Sequence, residues 1–271
     1  MKVGFFDSGL GGLTVLKEAI QNEGLSEDIY YLGDTKNTPY GVKDKDFVIN
    51  IINENIDYLV SIGCNPIVIA CNTATSLCVN SLREKYKDIV FIGTEPAVKV
   101  AADSKKNKKI LVLATSITVK QEKLHNLINK LNIEDEVELV PADRLVTFAE
   151  NINCNNMTED INDYIKSILE GYNLNEFSHI VLGCTHFPLF RDNFECVIKE
   201  INPLLDIKVI DGAKGISNNL IKHINKIKNR NDYIADKKNI TIITTSESKD
   251  FIQRAKQILN NEDIEFKYKL Q

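Results

Sequence analysis

Short apolar runs alternate with longer amphipathic stretches along almost the whole chain, and that alternation leaves few architectures open. Runs over 3–6, 29–32, 67–70 and 90–93 read as strands. Stretches over 13–20 and 44–62, and the segment through Leu77 and Leu82, read as the helices between them. Within 44–62, Val48, Ile52, Ile56, Leu59 and Val60 recur on one helical face. A second series follows, with strands over 109–114, 137–140 and 180–182 and helices over 119–131 and 161–169. It resumes with a strand over 207–210, a helix over 216–227, a strand over 240–243 and a helix over 249–259. Repeated strand–helix–strand units predict an α/β protein with mainly parallel sheets flanked by helices. Such sheets bind ligands beyond the carboxyl ends of their strands, so the strand ends are where chemistry is to be sought.

The 271 residues suffice for one large domain or two small ones, each with a buried core. Net charge is −5 and no basic stripe stands out. The densest basic cluster, Lys105, Lys106, Lys108 and Lys109, reads as a solvated turn, so no nucleic-acid partner is expected. No apolar run is long enough to cross a bilayer, and Asp7 interrupts the N-terminal apolar run too early for a signal peptide. A cytoplasmic location with no membrane partner is the resulting expectation. Cysteines at 64, 71, 78, 154, 184 and 196 should stay reduced there, and no C-x-x-C pair indicates a structural zinc. Pro66 and the strand after it prevent Cys64, Cys71 and Cys78 from sharing one helix face.

Four strands end in polar sequences. Asp7-Ser8-Gly9-Leu10-Gly11-Gly12 lacks the G-x-G-x-x-G spacing of a dinucleotide site. It fits a tight turn as well as a loop whose glycines admit a ligand to the backbone. Gly33-Asp34-Thr35-Lys36-Asn37-Thr38-Pro39-Tyr40-Gly41 fits a pocket rim or a plain surface connection. Ala70-Cys71-Asn72-Thr73-Ala74-Thr75-Ser76 delivers a thiol to a strand end as a helix begins, where unpaired N–H groups and the helix dipole favour thiolate. Gly183-Cys184-Thr185-His186-Phe187-Pro188-Leu189 does the same, with an imidazole two residues on. A Cys-x-His pair also fits two metal ligands, but no other Cys/His cluster supplies the rest.

The last two segments share a pattern of apolar strand, small residue and cysteine, which implies two related half-structures each contributing one thiol. Two thiols suit a reaction that removes hydrogen from one face of a carbon and returns it to the other. One starts as thiolate and the other as thiol, and they exchange states at each turnover. An unperturbed thiol has a pKa of roughly 8.5, so neighbours must tune it, and Asp7 and His186 are the candidates. Ser8, Asn72, Thr73 and Thr185 are placed in sequence to hold a carboxylate and an ammonium. No lysine occupies a strand-end motif suited to a pyridoxal Schiff base, so no cofactor is expected.

These four segments, in this order, resemble the glutamate racemases of the aspartate/glutamate racemase family. The likeness runs from residue 3 to about residue 215. It implies two similar α/β domains, 1–95 plus 210–271 and 96–209, with the active site in the cleft between them. It implies Cys71 and Cys184 as the acid/base pair, with Asp7, Ser8, Tyr40, Gly41, Asn72, Thr73, Thr185 and His186 contacting substrate or tuning the thiols. Thr115 and Thr118 fall in a loop resembling a further substrate-contacting segment. Family members supply D-glutamate for peptidoglycan, usually as homodimers.

The chain departs from the family where an Ala-Cys-Pro-Leu segment is common. Here 142–150 reads Ala142-Asp143-Arg144-Leu145-Val146-Thr147-Phe148-Ala149-Glu150, with Glu150 the candidate for the family's glutamate. Gly93-Thr94-Glu95-Pro96-Ala97 is also an uncommon version. The first strand begins at the N-terminus, without the extension resembling the precursor-activated subgroup, so that regulation is not expected. The alternatives are an aspartate or other amino-acid racemase on the same scaffold, a silent binder of a small acid, or a metal or disulfide role for the thiols.

Overall fold

The computed structural model describes residues 1–22, 24–94, 97–105, 107–151, 157–227, 239–261 and 264–268. Lys106, Cys154, Glu95 and Pro96, singled out above, lie outside the described residues. The chain opens with β1 (Lys2–Asp7), α1 (Gly12–Gln21), β2 (Asp28–Gly33), α2 (Lys45–Ser61), β3 (Cys64–Ile69), α3 (Asn72–Lys85) and β4 (Phe91–Gly93). It continues through α4 (Val98–Ser104), β5 (Lys109–Ala114), α5 (Ser116–Lys120), α6 (Glu122–Leu131), β6 (Val137–Pro141), α7 (Asp143–Asn151) and α8 (Met157–Leu169). Then come β7 (Phe177–Leu182), α9 (Arg191–Ile201), β8 (Lys208–Asp211), α10 (Ala213–Ile227), β9 (Ile240–Thr244), α11 (Lys249–Leu259) and β10 (Glu265–Tyr268). Contacts divide the chain into two compact units, Met1–Thr94 with Ala213–Gln271, and Glu95–Gly212.

Among the described residues, the first unit's sheet has the order β10-β9-β2-β1-β3-β4, with every pairing parallel. Central β1 is buried on both faces, which is why it reads as a continuous apolar run. Successive residues serve opposite faces. Val3 and Phe5 pack with Leu13, Leu16, Leu220 and Phe251 of α1, α10 and α11. Phe6 packs with Val48, Ile52, Ala74 and Cys78 of α2 and α3.

The second unit's sheet has the order β6-β5-β7-β8, again parallel throughout. Leu111, Leu113, Ile180 and Leu182 pack under α7, α8 and α9, while Ile110, Val112 and Val181 pack under α4 and α6. The strand order β2-β1-β3-β4 of the first unit is thus repeated as β6-β5-β7-β8 in the second. In each, the chain turns to one side of its first strand and then crosses to the other, making a switch point between first and third strands.

Several elements differ from the sequence expectation. The helix expected over 119–131 is two helices, because Gln121 is extended and ends α5 while opening α6. Helix α7 occupies a stretch to which the sequence reading assigned no element, burying Leu145, Val146, Phe148 and Ala149. Strand β10 extends the first sheet beyond β9. Residues 210–212 belong to the second unit, not the first, because Asp211 is in register with Leu182 of β7.

Candidate active site

In the first unit, the site residues collect at the carboxyl ends of β1, β2 and β3. Ala70 donates its N–H to Phe6 O at 2.8 Å, so the cysteine that follows emerges beside the loop after β1. Cys71 is the N-cap of α3 and its sulfur accepts from Ala74 N at 3.5 Å. The sulfur also lies 3.8 Å from Ser8 Oγ. A negative sulfur there gains from the helix dipole and from a donor that the helix leaves unpaired. The other two described cysteines of this unit differ: burial pushes the Cys64 thiol up to about 12 and the Cys78 thiol up to about 11. Those two are inert core residues, as their packing in one apolar cluster implies.

Asp7 is fully buried and accepts from Gly9 N at 3.0 Å. Gly9 and Gly12 serve that carboxylate, and no glycine of this loop adopts a left-handed backbone. A Cβ at Gly12 would meet Asp7 Cβ at 2.4 Å and the Tyr31 hydroxyl at 2.8 Å. Tyr31 itself donates to Gly9 O at 2.5 Å, closing the loop from below.

Tyr40 begins a 3-10 turn over Tyr40–Val42 and is buried, while Gly41 is partly exposed. Its hydroxyl donates to Asp34 Oδ2 at 2.6 Å. Asp34 also accepts from Asn37 Nδ2 at 2.9 Å and from Thr245 Oγ1 at 2.7 Å. Burial, then the charge and hydrogen bond of Asp34, then the nearby Cys71 and Asp7, push the phenol well above its ordinary value. Tyr40 is therefore a neutral phenol whose hydrogen is committed to Asp34, leaving its ring, its oxygen lone pair and its main chain for a ligand. Asn72 and Thr73 form the first turn of α3, with Thr73 buried.

In the second unit, Gly183 donates to Leu113 O at 2.7 Å, the counterpart of the bond before Cys71. Cys184 is buried, but no α-helix begins directly after it. A 3-10 turn over Phe187–Phe190 intervenes before α9, and the Cys184 carbonyl accepts from Phe187 N at 3.1 Å. The helix dipole expected at this thiol is therefore replaced by another group. His186 Nδ1 lies 3.7 Å from the Cys184 sulfur, and His186 Nε2 lies 2.5 Å from Glu150 Oε1. Burial alone would push the imidazolium's pKa down. Hydrogen bonds to Cys184 and Glu150, with the charge of Glu150, outweigh it and hold His186 well above the ordinary histidine value.

Thr115 caps α5: its Oγ1 accepts from Thr118 N at 3.4 Å and lies 3.0 Å from Thr118 Oγ1. Thr115, Thr118 and Thr185 are all buried. The structure thus gathers Asp7, Ser8, Tyr40, Gly41, Cys71, Asn72 and Thr73 in one unit, and Thr115, Thr118, Glu150, Cys184, Thr185 and His186 in the other. Sequence reasoning placed Asp34 only on a pocket rim and missed Thr245 entirely. Asp34 had a local signal in Asn37 and Tyr40, three and six positions on, whereas Thr245 lies 211 positions away. Among the described residues, no group of three or more His, Cys, Asp or Glu is arranged to hold a metal ion, and no helix is long and apolar enough to cross a membrane.

The sequence pattern of the family described as Asp/Glu/Hydantoin racemase matches residues 17–216. The glutamate racemase of Halothermothrix orenii is 44% identical over 79% of this chain and 81% of its own. That of Clostridium novyi is 37% identical over 96% of this chain and 97% of its own. Among solved structures, the Bacillus anthracis glutamate racemase isoform RacE1 superposes with a TM-score of 0.83 at 26% identity, covering 97% of this chain and 95% of that one. With the family pattern matched over residues 17–216 and glutamate racemases 37–44% identical over up to 96% of its length, the chain belongs to the Asp/Glu/Hydantoin racemase family.

Proposed function

We propose that this racemase interconverts L- and D-glutamate without a cofactor, using Cys71 and Cys184 as the two acid/base groups. The observation that carries this reading is the equivalence of the two thiols. Each follows the third strand of the same strand order, and each is preceded by a residue hydrogen-bonded to the first strand. The names of the relatives support glutamate as the substrate.

In the forward direction, the thiolate of one cysteine takes the α-hydrogen as a proton and becomes a thiol. The thiol of the other delivers a proton to the opposite face of the same carbon and becomes a thiolate. The reverse reaction exchanges the roles, so no net proton is consumed. Backbone N–H groups and hydroxyls must stabilise the carbanion-like transition state, and Ser8, Asn72, Thr73 and Thr185 supply them beside the thiols. Asp7 serves the Cys71 side, while His186, held by Glu150, serves the Cys184 side. Tyr40, Gly41, Thr115 and Thr118 hold the substrate. The product is D-glutamate for peptidoglycan, made by a cytoplasmic homodimer.

The test is racemisation of each glutamate enantiomer in deuterated water with no added cofactor. The expected result is loss of optical activity with one solvent deuteron incorporated at the α-carbon of the product. Exchange with aspartate but not glutamate would transfer the reading to aspartate. No exchange with either acid overturns it.

A further inference from the structure

Asp143 has a definite structural use. Asp143 opens α7, and its carboxylate turns back onto the loop after β5. Oδ1 and Oδ2 each accept from Ser116 N at 3.1 Å, and Oδ2 accepts from Ser116 Oγ at 2.5 Å. Ser116 is the first residue of α5, so its N–H has no partner within that short helix. Thr115 on one side caps the same helix and Thr118 closes its first turn. One carboxylate thus holds the main chain between the two threonines. Seven residues further along α7, about two turns by helix geometry, Glu150 holds His186. Helix α7 therefore braces two parts of the second unit's site, one from each end.

We infer that Asp143 is a positioning residue that fixes the Thr115–Thr118 loop for substrate. The inference rests on the function proposed above. It does not require Asp143 to touch substrate. A purely structural role, as an acidic residue favouring the start of α7, would alter stability and leave substrate affinity alone.

The experiment compares wild type with Asp143→Ala, Asp143→Asn and Ser116→Ala by steady-state kinetics on glutamate and by hydrogen exchange of the 115–118 amides. Loss of a charge-assisted pair of bonds to a loop that binds substrate should raise KM by about tenfold in Asp143→Ala, with kcat within about twofold. Asp143→Asn keeps an acceptor for Ser116 N and should restore most of the affinity. The Ser116 amide should exchange faster in Asp143→Ala and near the wild-type rate in Asp143→Asn. An unchanged KM in Asp143→Ala, a fall confined to kcat, or an Asn variant as impaired as the Ala variant overturns the inference. If Asp143→Ala does not fold, Ser116→Ala carries the test: its KM should rise about two- to threefold, and an unchanged KM counts against Asp143. A wild type inactive on glutamate overturns the function itself, and the control shows this before any variant is compared.

Discussion

The two units carry their thiols on the same backbone frame and surround them with different chemistry. Before each cysteine, a small residue donates to the first strand, Ala70 to Phe6 and Gly183 to Leu113. On the other side of that strand, Asp34 N bonds Asp7 O at 3.0 Å just as Ala142 N bonds Ala114 O at 2.9 Å. Ser8 and Thr115 thus occupy corresponding positions after β1 and β5. Beyond this frame the units part. Cys71 caps α3 and meets an N–H donor and a hydroxyl. Cys184 meets an imidazole backed by a carboxylate. A fixed dipole cannot give up a proton, whereas an imidazole can. The frame therefore sets where a thiol stands, and the side chains around it set how its charge is managed.

The strongest challenge to this pairing is removal of each sulfur in turn. Cys71→Ser and Cys184→Ser should each cut racemisation by about a thousandfold or more, since a hydroxyl is a far weaker acid than a thiol. Slow α-hydrogen exchange should survive for one enantiomer in each variant, and for opposite enantiomers in the two, as read by NMR in deuterated water. Full activity in either variant breaks the two-base mechanism.

Next in size is the contrast between the tuning groups. His186→Asn should lower kcat by about a hundredfold, in the range of a lost acid/base partner. Ser8→Ala, which leaves the Ala74 N–H on Cys71, should cost about tenfold or less. Equal losses would erase the distinction between a titrating and a fixed environment.

A smaller effect concerns packing beneath the Cys71 side. Gly12→Ala places a methyl against Asp7 and Tyr31, so it should destabilise the fold by about 1–3 kcal/mol, measured by denaturant unfolding. Gly215→Ala, where a Cβ meets nothing within 4 Å, is the control and should leave stability near that of wild type.

The subtlest test uses pH. A histidine whose pKa is raised by folding stabilises the fold fully below its ordinary value of 6.5, and the gain is lost as pH rises through the raised value. Glu150→Gln removes part of the cause of that rise. Its thermal midpoint should fall furthest below wild type in mildly acidic buffer, and the gap should narrow as pH rises. A gap that widens with pH would show that Glu150 does not hold the imidazolium.

Much of the fold could be read from the chain because parallel strands buried on both faces write themselves as unbroken apolar runs. Val3, Phe5 and Phe6 in β1 are such a run. The strand-end positions of Cys71 and Cys184 followed from the same signal. What escaped detection depended on contacts far apart in sequence or on one residue's geometry. Gln121 breaks a stretch whose apolar periodicity continues through it. The 3-10 turn after His186 looks like a helix start because Phe187, Pro188 and Leu189 fit either conformation. Asp143 read only as a mismatch, since its partner Ser116 lies 27 positions earlier.

The bond from Thr245 to Asp34 also bears on the order in which a growing chain can become an enzyme. Thr245 N reaches Gly33 O at 3.3 Å, and Ser246 N reaches Thr35 Oγ1 at 3.1 Å, so the loop carrying Tyr40 is stitched to the end of β9. During synthesis, residues 95–212 leave the ribosome as a continuous stretch with their own sheet, and can fold as a unit. The N-terminal segment emerges first and yet must wait for β9 before its Tyr40 loop has anything to be tied to. A strand made after the second unit is what completes a loop made before it.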